Sequence, residues 1–323
     1  MDKFIQMGGN VTESIKPTLV NASSQDDSLD VQQWQRYIEQ EIGFVLPNVQ
    51  RKWLINAIDN TALSYGLTAK KLWNQLPKNN EMRQQLLDNV LIHESRFFRY
   101  MPSIEFVKKC ALDNQRLRIA SGGNSGVVNT SDELFRIWSV GCASGEEVWS
   151  LAMSLAAQQL KNHVILGTDV SQQAIINAEL GYYNNRQKLL IPPSYQQFVQ
   201  PLYENSVIRK PNVCDSATTN EATTSHQAHW QIAPSLQQNV SFALHNIMEK
   251  TPPTSHLQQI IICQNMLIYF RKFDQRDILA RLSEQCVLGG YIILAPGEAL
   301  FWRPSNMRRI AHPQVNVWQK INA

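Results

Sequence analysis

The first segment whose residue types suggest chemistry is a glycine-rich loop, which reads GCASGEE over residues 141–147. It lies between a strand-like run, FRIWSV, and a helical pattern that starts at Glu146. Small residues at a strand-to-helix turn let a ligand approach the backbone closely. One predicted strand later, Asp169 ends the run ILGTD, where a carboxylate can accept hydrogen bonds from ribose hydroxyls. The loop and Asp169 together predict a site for a ligand that contains a nucleoside.

The two glutamates of this loop restrict the ligand further. The loop does not read G-x-G-x-x-G, and Glu146 and Glu147 stand where a pyrophosphate would sit. Two carboxylates would repel that anion. A cofactor with a ribose and no phosphates fits better, and S-adenosylmethionine (SAM) meets this description with a cationic sulfonium and amino group. The alternative is a tight turn that carries a solvated pair of glutamates.

The elements around the loop predict an α/β fold. Strand patterns alternate with helical patterns joined by short connections, which favours a mostly parallel sheet covered on both faces. Asn246 and Asn265 follow predicted strand ends, where open α/β sheets bind their ligands. The predicted strands are 135–140, 163–170, 258–265, 288–298 and 315–321, and the predicted helices include 146–160, one capped by Ser171, and 275–288.

The remaining chain divides by composition. The polar residues 1–30 are expected to form a disordered arm, 31–113 an all-helical domain and 114–133 a Gly/Ser/Asn-rich linker. The catalytic domain covers 134–323, with an insertion at about 184–240 that is expected to hold a small antiparallel sheet. Within 31–113, Thr68 is a predicted helix N-cap, and eleven Lys and Arg residues outnumber eight Asp and Glu residues.

Composition excludes several classes of function. The 323 residues are 43% hydrophobic with a formal charge of +3, which argues against a nucleic-acid-binding protein. No apolar run is long enough for a membrane span or a secretory signal. Five cysteines without a C-x-x-C pair indicate reduced thiols in a cytoplasmic protein. We expect no metal site, because Cys214, His226 and His229 lie in an irregular polar run without a fourth ligand.

Five segments stand out in order along the chain: HESRFFR (93–99), GCASGEEVWSLAM (141–153), GTDVSQQAIINAELGYY (167–183), HNIM (245–248) and CQNMLIYF (263–270). They resemble the motifs of the chemotaxis-receptor methyltransferases, the CheR family, and the resemblance covers about nine tenths of the chain. Within the family, the type IV pilus-linked, PilK-like branch is favoured over the flagellar one. The resemblance implies a Rossmann-like SAM-dependent methyltransferase sheet preceded by a small all-α domain.

The resemblance also implies a reaction and its residues. Family members transfer the methyl group of SAM to glutamates on the cytoplasmic coiled-coil domain of a methyl-accepting chemoreceptor, forming glutamyl methyl esters for sensory adaptation. The expected protein is a cytoplasmic monomer. Arg99, at the end of the helix that enters the catalytic domain, and Tyr269 are the implied catalytic residues. The implied cofactor contacts are His93, Ser95, Arg99, Gly141, Ala143, Gly145, Glu146, Asp169, Asn246, Ile247, Asn265 and Met266.

Some positions depart from the family pattern. His93 replaces the usual Asn, Gln264 the usual Arg and Tyr100 a common Glu, and APGEAL replaces G-H-S-E after the glycine-containing strand. Two alternative functions stay open at this point: a SAM-binding regulator without activity that docks on a receptor array, or another SAM-dependent methyltransferase acting on RNA or a small molecule. Retention of Arg99 and Tyr269 favours the enzyme, and the near-neutral charge disfavours RNA.

Overall fold

The computed structural model describes residues 30–91, 94–121, 134–202 and 230–322. No helix of these ranges is long and apolar enough to cross a membrane. The helices are α1 Val31–Ile42, α2 Arg51–Ser64, α3 Ala69–Gln75, α4 Asn80–Val90, α5 Met101–Ser121, α6 Glu146–Ala156, α7 Gln172–Leu180, α8 Asn185–Lys188, α9 Pro234–Gln237 and α10 Lys272–Glu284. The strands are β1 Phe135–Val140, β2 His163–Asp169, β3 Tyr182–Tyr183, β4 Val199–Pro201, β5 Trp230–Ile232, β6 Val240–Leu244, β7 Gln258–Cys263, β8 Cys286–Leu294, β9 Met307–Ile310 and β10 Asn316–Lys320.

Within the described ranges, the main sheet has seven strands in the order β6-β2-β1-β7-β8-β10-β9. The first five are parallel, and β10 runs antiparallel to both of its neighbours. Alternate residues of one strand enter different cores, because side chains of a strand point to opposite faces. Ile137 packs with α5 and α6 on one face, and Trp138 packs with α10 on the other. The predicted α/β fold with a covered, mostly parallel sheet is confirmed.

Helix α5 corrects the predicted domain boundary. It continues to Ser121, eight residues into the segment 114–133 that was expected to be a linker. Its buried residues Ile104, Val107 and Ala111 pack into the core of the sheet and not into the helical domain that was predicted for 31–113. The N-terminal helical unit therefore consists of α1–α4. The rest of the predicted linker, 122–133, and residues 1–29 of the predicted arm lie outside the described residues.

The N-terminal helical unit, α1–α4, has a core of its own around Trp34 and Leu54. Thr68 caps α3 as predicted, since its side chain accepts from the backbone N–H of Lys71. The unit is also joined to the sheet by long-range hydrogen bonds. Asn246 Nδ2 donates to the carbonyl of Glu41 at 2.8 Å, and Gln84 Nε2 donates to the carbonyl of Val170 at 2.8 Å. Both partners on the sheet side follow strand ends, so the unit lies against the carboxyl edge of the sheet.

The predicted insertion contains a three-stranded antiparallel sheet in the order β3-β5-β4. Tyr183 anchors it to the glycine loop, because its hydroxyl donates to the carbonyl of Ser144 at 2.6 Å. Trp230 Nε1 donates to the carbonyl of Asn184 at 2.7 Å within the insertion. The small antiparallel sheet is thus confirmed, and residues 203–229 between β4 and β5 lie outside the described residues.

Candidate cofactor and active site

A cavity of about 240 Å³ opens at the carboxyl ends of β1, β2, β6 and β7. The loops after these strands and the turn before α5 form most of its wall, and the N-terminal helical unit contributes Ile42, Phe44 and Leu91. Ligands of open parallel sheets bind at this edge. The N-terminal helical unit and the loops of the main sheet therefore enclose the candidate site together.

The glycine loop gives this cavity a wall of backbone. Gly141 has φ +68°, and a Cβ atom there would approach the sulfur of Met266 to 3.0 Å. Ala143 also adopts a left-handed φ of 48°, and its N–H donates to Asp169 Oδ2 at 2.9 Å. Gly145 has a different role, because a Cβ there would lie 2.9 Å from the Cβ of Ala178 on α7. Gly145 permits close helix packing and does not line the cavity.

Asp169 ends β2 and lines the cavity next to the glycine loop. One oxygen accepts the N–H of Ala143, and the other accepts the N–H of Ser171 at 2.9 Å. These two bonds fix the carboxylate in place. Each carboxylate oxygen has a second lone pair, so Asp169 can still accept hydrogen bonds from a ligand.

The two glutamates at the start of α6 point to different surroundings. Glu146 is buried outside the cavity lining, where its carboxylate bonds to Ser95 and accepts from Gln187 Nε2 at 3.1 Å. Glu147 lines the cavity and accepts from the hydroxyl of Ser139 at 2.7 Å. Burial raises the pKa of Glu147 to about 7, although the Ser139 hydroxyl and the charge of Arg99 oppose this shift. Of these two glutamates, Glu147 is therefore the one whose carboxylate is available to a cation bound in the cavity.

Arg99 lies in the turn before α5, not at the end of a helix as expected, and lines the cavity. Its Nη1 donates to the carbonyl of Glu94 at 2.6 Å, and its guanidinium carbon is 5.6 Å from the centroid of the Tyr100 ring. Among the described residues Arg99 forms no ion pair with a carboxylate. The charge of Arg99 acts on Glu147 without a direct ion pair, so its N–H groups can still bind a carboxylate that enters the cavity.

Tyr269 reaches the same cavity from the segment after β7. Phe44 of the N-terminal helical unit stacks on its ring, with centroids 4.6 Å apart, and the N–H of Val45 donates to its carbonyl at 2.8 Å. Burial, and then the charge of Glu94, raise the pKa of Tyr269 above its usual 10, while Arg99 lowers it. The phenol is therefore protonated at neutral pH and is not a general base.

Most of the predicted site residues are brought together here. Gly145 and Glu146 lie outside the lining, and His93 lies outside the described residues. Phe97 and Phe98 of the HESRFFR segment are buried in the core, although Phe98 also touches the cavity. The predicted residues that line the cavity are Ser95, Arg99, Gly141, Ala143, Asp169, Asn246, Ile247, Asn265, Met266 and Tyr269.

Sequence reasoning selected Glu146 where Glu147 lines the cavity, and it treated Tyr100 only as a departure from the family motif. The doubled glutamate indicated an acidic contact but did not show which of the two residues faces the cavity.

Among the described residues, no group of three or more His, Cys, Asp or Glu side chains could hold a metal ion. Cys214, His226 and His229 lie outside those residues.

The charged groups of the cavity fit SAM better than a phosphorylated nucleotide. Its carboxylates are Glu94, Glu147 and Asp169, its guanidiniums are Arg96 and Arg99, and no lysine of the described residues lines it. The Glu147 carboxylate beside the glycine loop would repel a pyrophosphate and attract a cation. The donor and acceptor set is thus complementary to a ribose, a positive charge and a carboxylate, which are all parts of SAM.

Comparisons with known proteins agree with this chemistry. The family model described as "CheR methyltransferase, SAM binding domain" matches residues 93–209 and 200–315. With the fold and the site, this match makes the chain a methyltransferase that uses SAM. "Chemotaxis protein methyltransferase Cher2" of Pseudomonas putida is 22% identical over 88% of this chain and 94% of the relative. "Chemotaxis protein methyltransferase 1" of Pseudomonas aeruginosa is 24% identical over 87% and 94%.

A third relative is the "Probable biofilm formation methyltransferase WspC" of Pseudomonas putida, which is 22% identical over 88% of this chain and 60% of the relative. The family match covers well over half of the sequence, and the chain belongs to the CheR methyltransferase family. The type IV pilus-linked branch stays a prediction.

Proposed function

We propose that this chain transfers the methyl group of SAM to glutamate side chains of a methyl-accepting chemoreceptor and forms glutamyl methyl esters. The observation that carries the proposal is Arg99, which lines the cavity without a carboxylate partner among the described residues. A guanidinium without an ion pair beside a methyl-donor site suits a carboxylate acceptor, and Arg96, the other guanidinium of the lining, is available to the carboxylate of SAM itself. The relatives named chemotaxis protein methyltransferases support the same class of acceptor.

Different residues of the cavity can contact different parts of SAM. Asp169 would accept from the ribose hydroxyls, and Glu147 would face the cationic end of the molecule. Asn246, Ile247 and the 265–266 segment would border the rest of it. When bound, SAM supplies an electrophilic methyl group on its sulfonium.

A glutamate acceptor needs no general base, because its pKa of about 4.3 leaves it ionised at neutral pH. The work of the chain is then to orient the carboxylate and to exclude water from it. Arg99 would hold the carboxylate so that one oxygen is free to attack. Tyr269, fixed by its stack on Phe44, would border the reacting methyl group as a neutral phenol.

The proposed partner is the cytoplasmic coiled-coil domain of the receptor, which meets a monomer of this chain in the cytoplasm. Residues 31–91, which form the N-terminal helical unit, carry seven Lys and Arg and five Asp and Glu side chains, a modest excess that suits an acidic helix. The N-terminal helical unit lies at the cavity, because Phe44 and Leu91 line it. A helix that docks on this unit could present a glutamate directly to the site.

The test is methyl transfer to a purified receptor fragment in the presence of tritiated SAM. We expect base-labile label on the receptor band, and we expect it to disappear when the labelled glutamates are changed to glutamine. A receptor fragment with those changes at unlabelled positions is the control. Base-stable label, or label that stays in RNA or small molecules, would contradict the proposed acceptor.

The carboxylate of Glu147 should make the affinity for SAM depend on pH. With a pKa of about 7, this carboxylate is mostly ionised at pH 8 and mostly protonated at pH 6. The Kd for SAM should therefore rise about tenfold from pH 8 to pH 6, since the ionised form attracts the sulfonium. S-adenosylhomocysteine lacks that charge, and its Kd should change less.

Calorimetric titrations of both ligands at pH 6, 7 and 8 check this result. Glu147→Gln should remove the steeper slope for SAM, while Glu146→Gln, a change outside the cavity lining, should keep it. Burial lowers the pKa of His245 below its usual 6.5, so this neighbour contributes only at the acid end. Equal slopes for the two ligands in the wild type would refute the role of Glu147.

A further inference from the structure

Asn265 has an unusual backbone conformation and is held from two sides. It follows β7 with φ +60°, a left-handed value that Asn adopts more readily than most residues. Its Oδ1 accepts the hydroxyl of Tyr100 at 2.7 Å, across 165 positions of sequence. Its backbone N–H donates to Glu298 Oε2 at 3.3 Å. Strained residues that persist beside a cavity are kept there by their surroundings.

Glu298 joins the turn after β8 to the segment after β7. It is only 6% exposed, and its Oε2 also accepts the N–H of Ala295 at 2.9 Å. A buried carboxylate is costly unless N–H groups surround it, and here they come from both segments. Glu298 thus ties the Asn265 backbone to the main sheet.

Tyr100 determines which way the Asn265 amide faces. The hydroxyl of Tyr100 donates to Oδ1, so the amide NH₂ group of Asn265 is directed away from that bond. Within the described residues, Nδ2 of Asn265 has no hydrogen-bond acceptor, and Asn265 lines the cavity. The Tyr100 ring faces the Arg99 guanidinium at the same time. Arg99 and Asn265, which both carry N–H donors, therefore both contact this tyrosine.

We propose that Tyr100 and Glu298 are positioning residues, which hold Asn265 so that its amide NH₂ donates to an acceptor atom of bound SAM. The proposal rests on the cofactor role given to Asn265 in the proposed function. Tyr100 is also a place where the sequence departs from the family motifs, so its bond to Asn265 is a contact that those motifs do not indicate.

The test is a double-mutant cycle measured by calorimetry with S-adenosylhomocysteine as the probe. Tyr100→Phe removes the hydroxyl and keeps the ring over Arg99, and we expect the Kd to rise about fivefold, as for one lost hydrogen bond. Asn265→Gly removes the amide without backbone strain, because glycine adopts φ +60° freely. In that background Tyr100→Phe should change the Kd by less than about twofold, because the two residues act together.

The matched control is Tyr37→Phe, since the buried Tyr37 hydroxyl in the N-terminal helical unit has no hydrogen-bond partner among the described residues. This variant should bind the probe like the wild type. Glu298→Gln keeps the shape and one acceptor oxygen, and it should bind more tightly than Glu298→Ala. The same increase in Kd for Tyr100→Phe in both backgrounds, or no increase in either, would overturn the proposal.

This experiment is independent of the methyl acceptor. Binding of the probe does not involve a receptor, so a failure to methylate receptor glutamates would leave the cycle interpretable. Conversely, a cycle without coupling would remove the positioning role of Tyr100, and equal binding by Glu298→Gln and Glu298→Ala would remove that of Glu298. Either result would leave receptor methylation untouched. Melting temperatures measured for each variant exclude a folding defect as the cause of weak binding.

Discussion

Arg99→Ala should lower kcat for receptor methylation by about 10²-fold, which corresponds to about 3 kcal/mol. The guanidinium lines the cavity, bonds to the Glu94 carbonyl and forms no ion pair with a carboxylate among the described residues. If it holds the acceptor carboxylate in line with the methyl group, its loss removes both a charge-assisted bond and the attack geometry. Steady-state rates with a receptor fragment, and the Kd for S-adenosylhomocysteine, measure the two effects separately. We expect kcat to fall more than cofactor affinity.

Arg99→Lys should recover little of the rate, because an ammonium cannot bind a carboxylate through two parallel N–H bonds. Arg116→Ala is a suitable control, since Arg116 is a highly exposed arginine on α5 that pairs with Asp113. It should leave the rate unchanged. The melting temperature of Arg99→Ala must match that of the wild type for the comparison to hold. A folded Arg99→Ala protein with the wild-type methylation rate would refute the assignment.

The alternating strand and helix patterns were enough to predict the sheet, because buried parallel strands are short apolar runs with helices between them. The same reasoning failed at the end of α5 for a physical reason. The helix packs on the sheet through Ile104, Val107 and Ala111, but none of the residues 114–120 is buried. Leu117 and Ile119 are 69% and 74% exposed. A helical turn without a buried face has no apolar periodicity for the sequence to show.

The site was predictable where one local motif supplies the residue and its backbone. Gly141, Ala143 and Asp169 belong to a single strand-to-helix unit and its next strand, and all three line the cavity. The choice between Glu146 and Glu147 was not predictable, because neighbours on a helix differ by about 100° in direction. Which one faces inward depends on how α6 packs.

Contacts between distant segments also could not be predicted from the sequence. The stack of Phe44 on Tyr269 and the bond of Tyr100 to Asn265 join residues more than 150 positions apart. No single sequence motif contains both residues of either pair. Their proximity results from the docking of the N-terminal helical unit and α5 on the sheet, which no periodicity encodes.

Asp169→Ala should raise the Kd for S-adenosylhomocysteine by roughly 10- to 100-fold, since charge-assisted bonds to the ribose contribute about 1.5–3 kcal/mol. The wild-type carboxylate is held between the N–H groups of Ala143 and Ser171, so it is fixed in place before a ligand arrives. Calorimetry of the variant measures the loss directly. An unchanged affinity would remove the ribose assignment.

Asp169→Ala also releases the N–H groups of Ala143 and Ser171, and loosening of the loop could imitate a lost contact. Two comparisons separate these causes. Ser171→Ala removes the cap of α7, in which Ser171 Oγ accepts from Ala174 at 3.1 Å, and it should change the Kd by less than about threefold. A 2′,3′-dideoxy analogue of S-adenosylhomocysteine has no ribose hydroxyls to donate to Asp169. It should therefore bind the wild type and Asp169→Ala equally weakly.

NAD should not bind detectably to the wild type in the same titration, since the Glu147 carboxylate that favours a cation repels its pyrophosphate. Tight binding of NAD, or a wild type that does not distinguish the dideoxy analogue from the natural ligand, would show that the site reads a different part of the nucleoside.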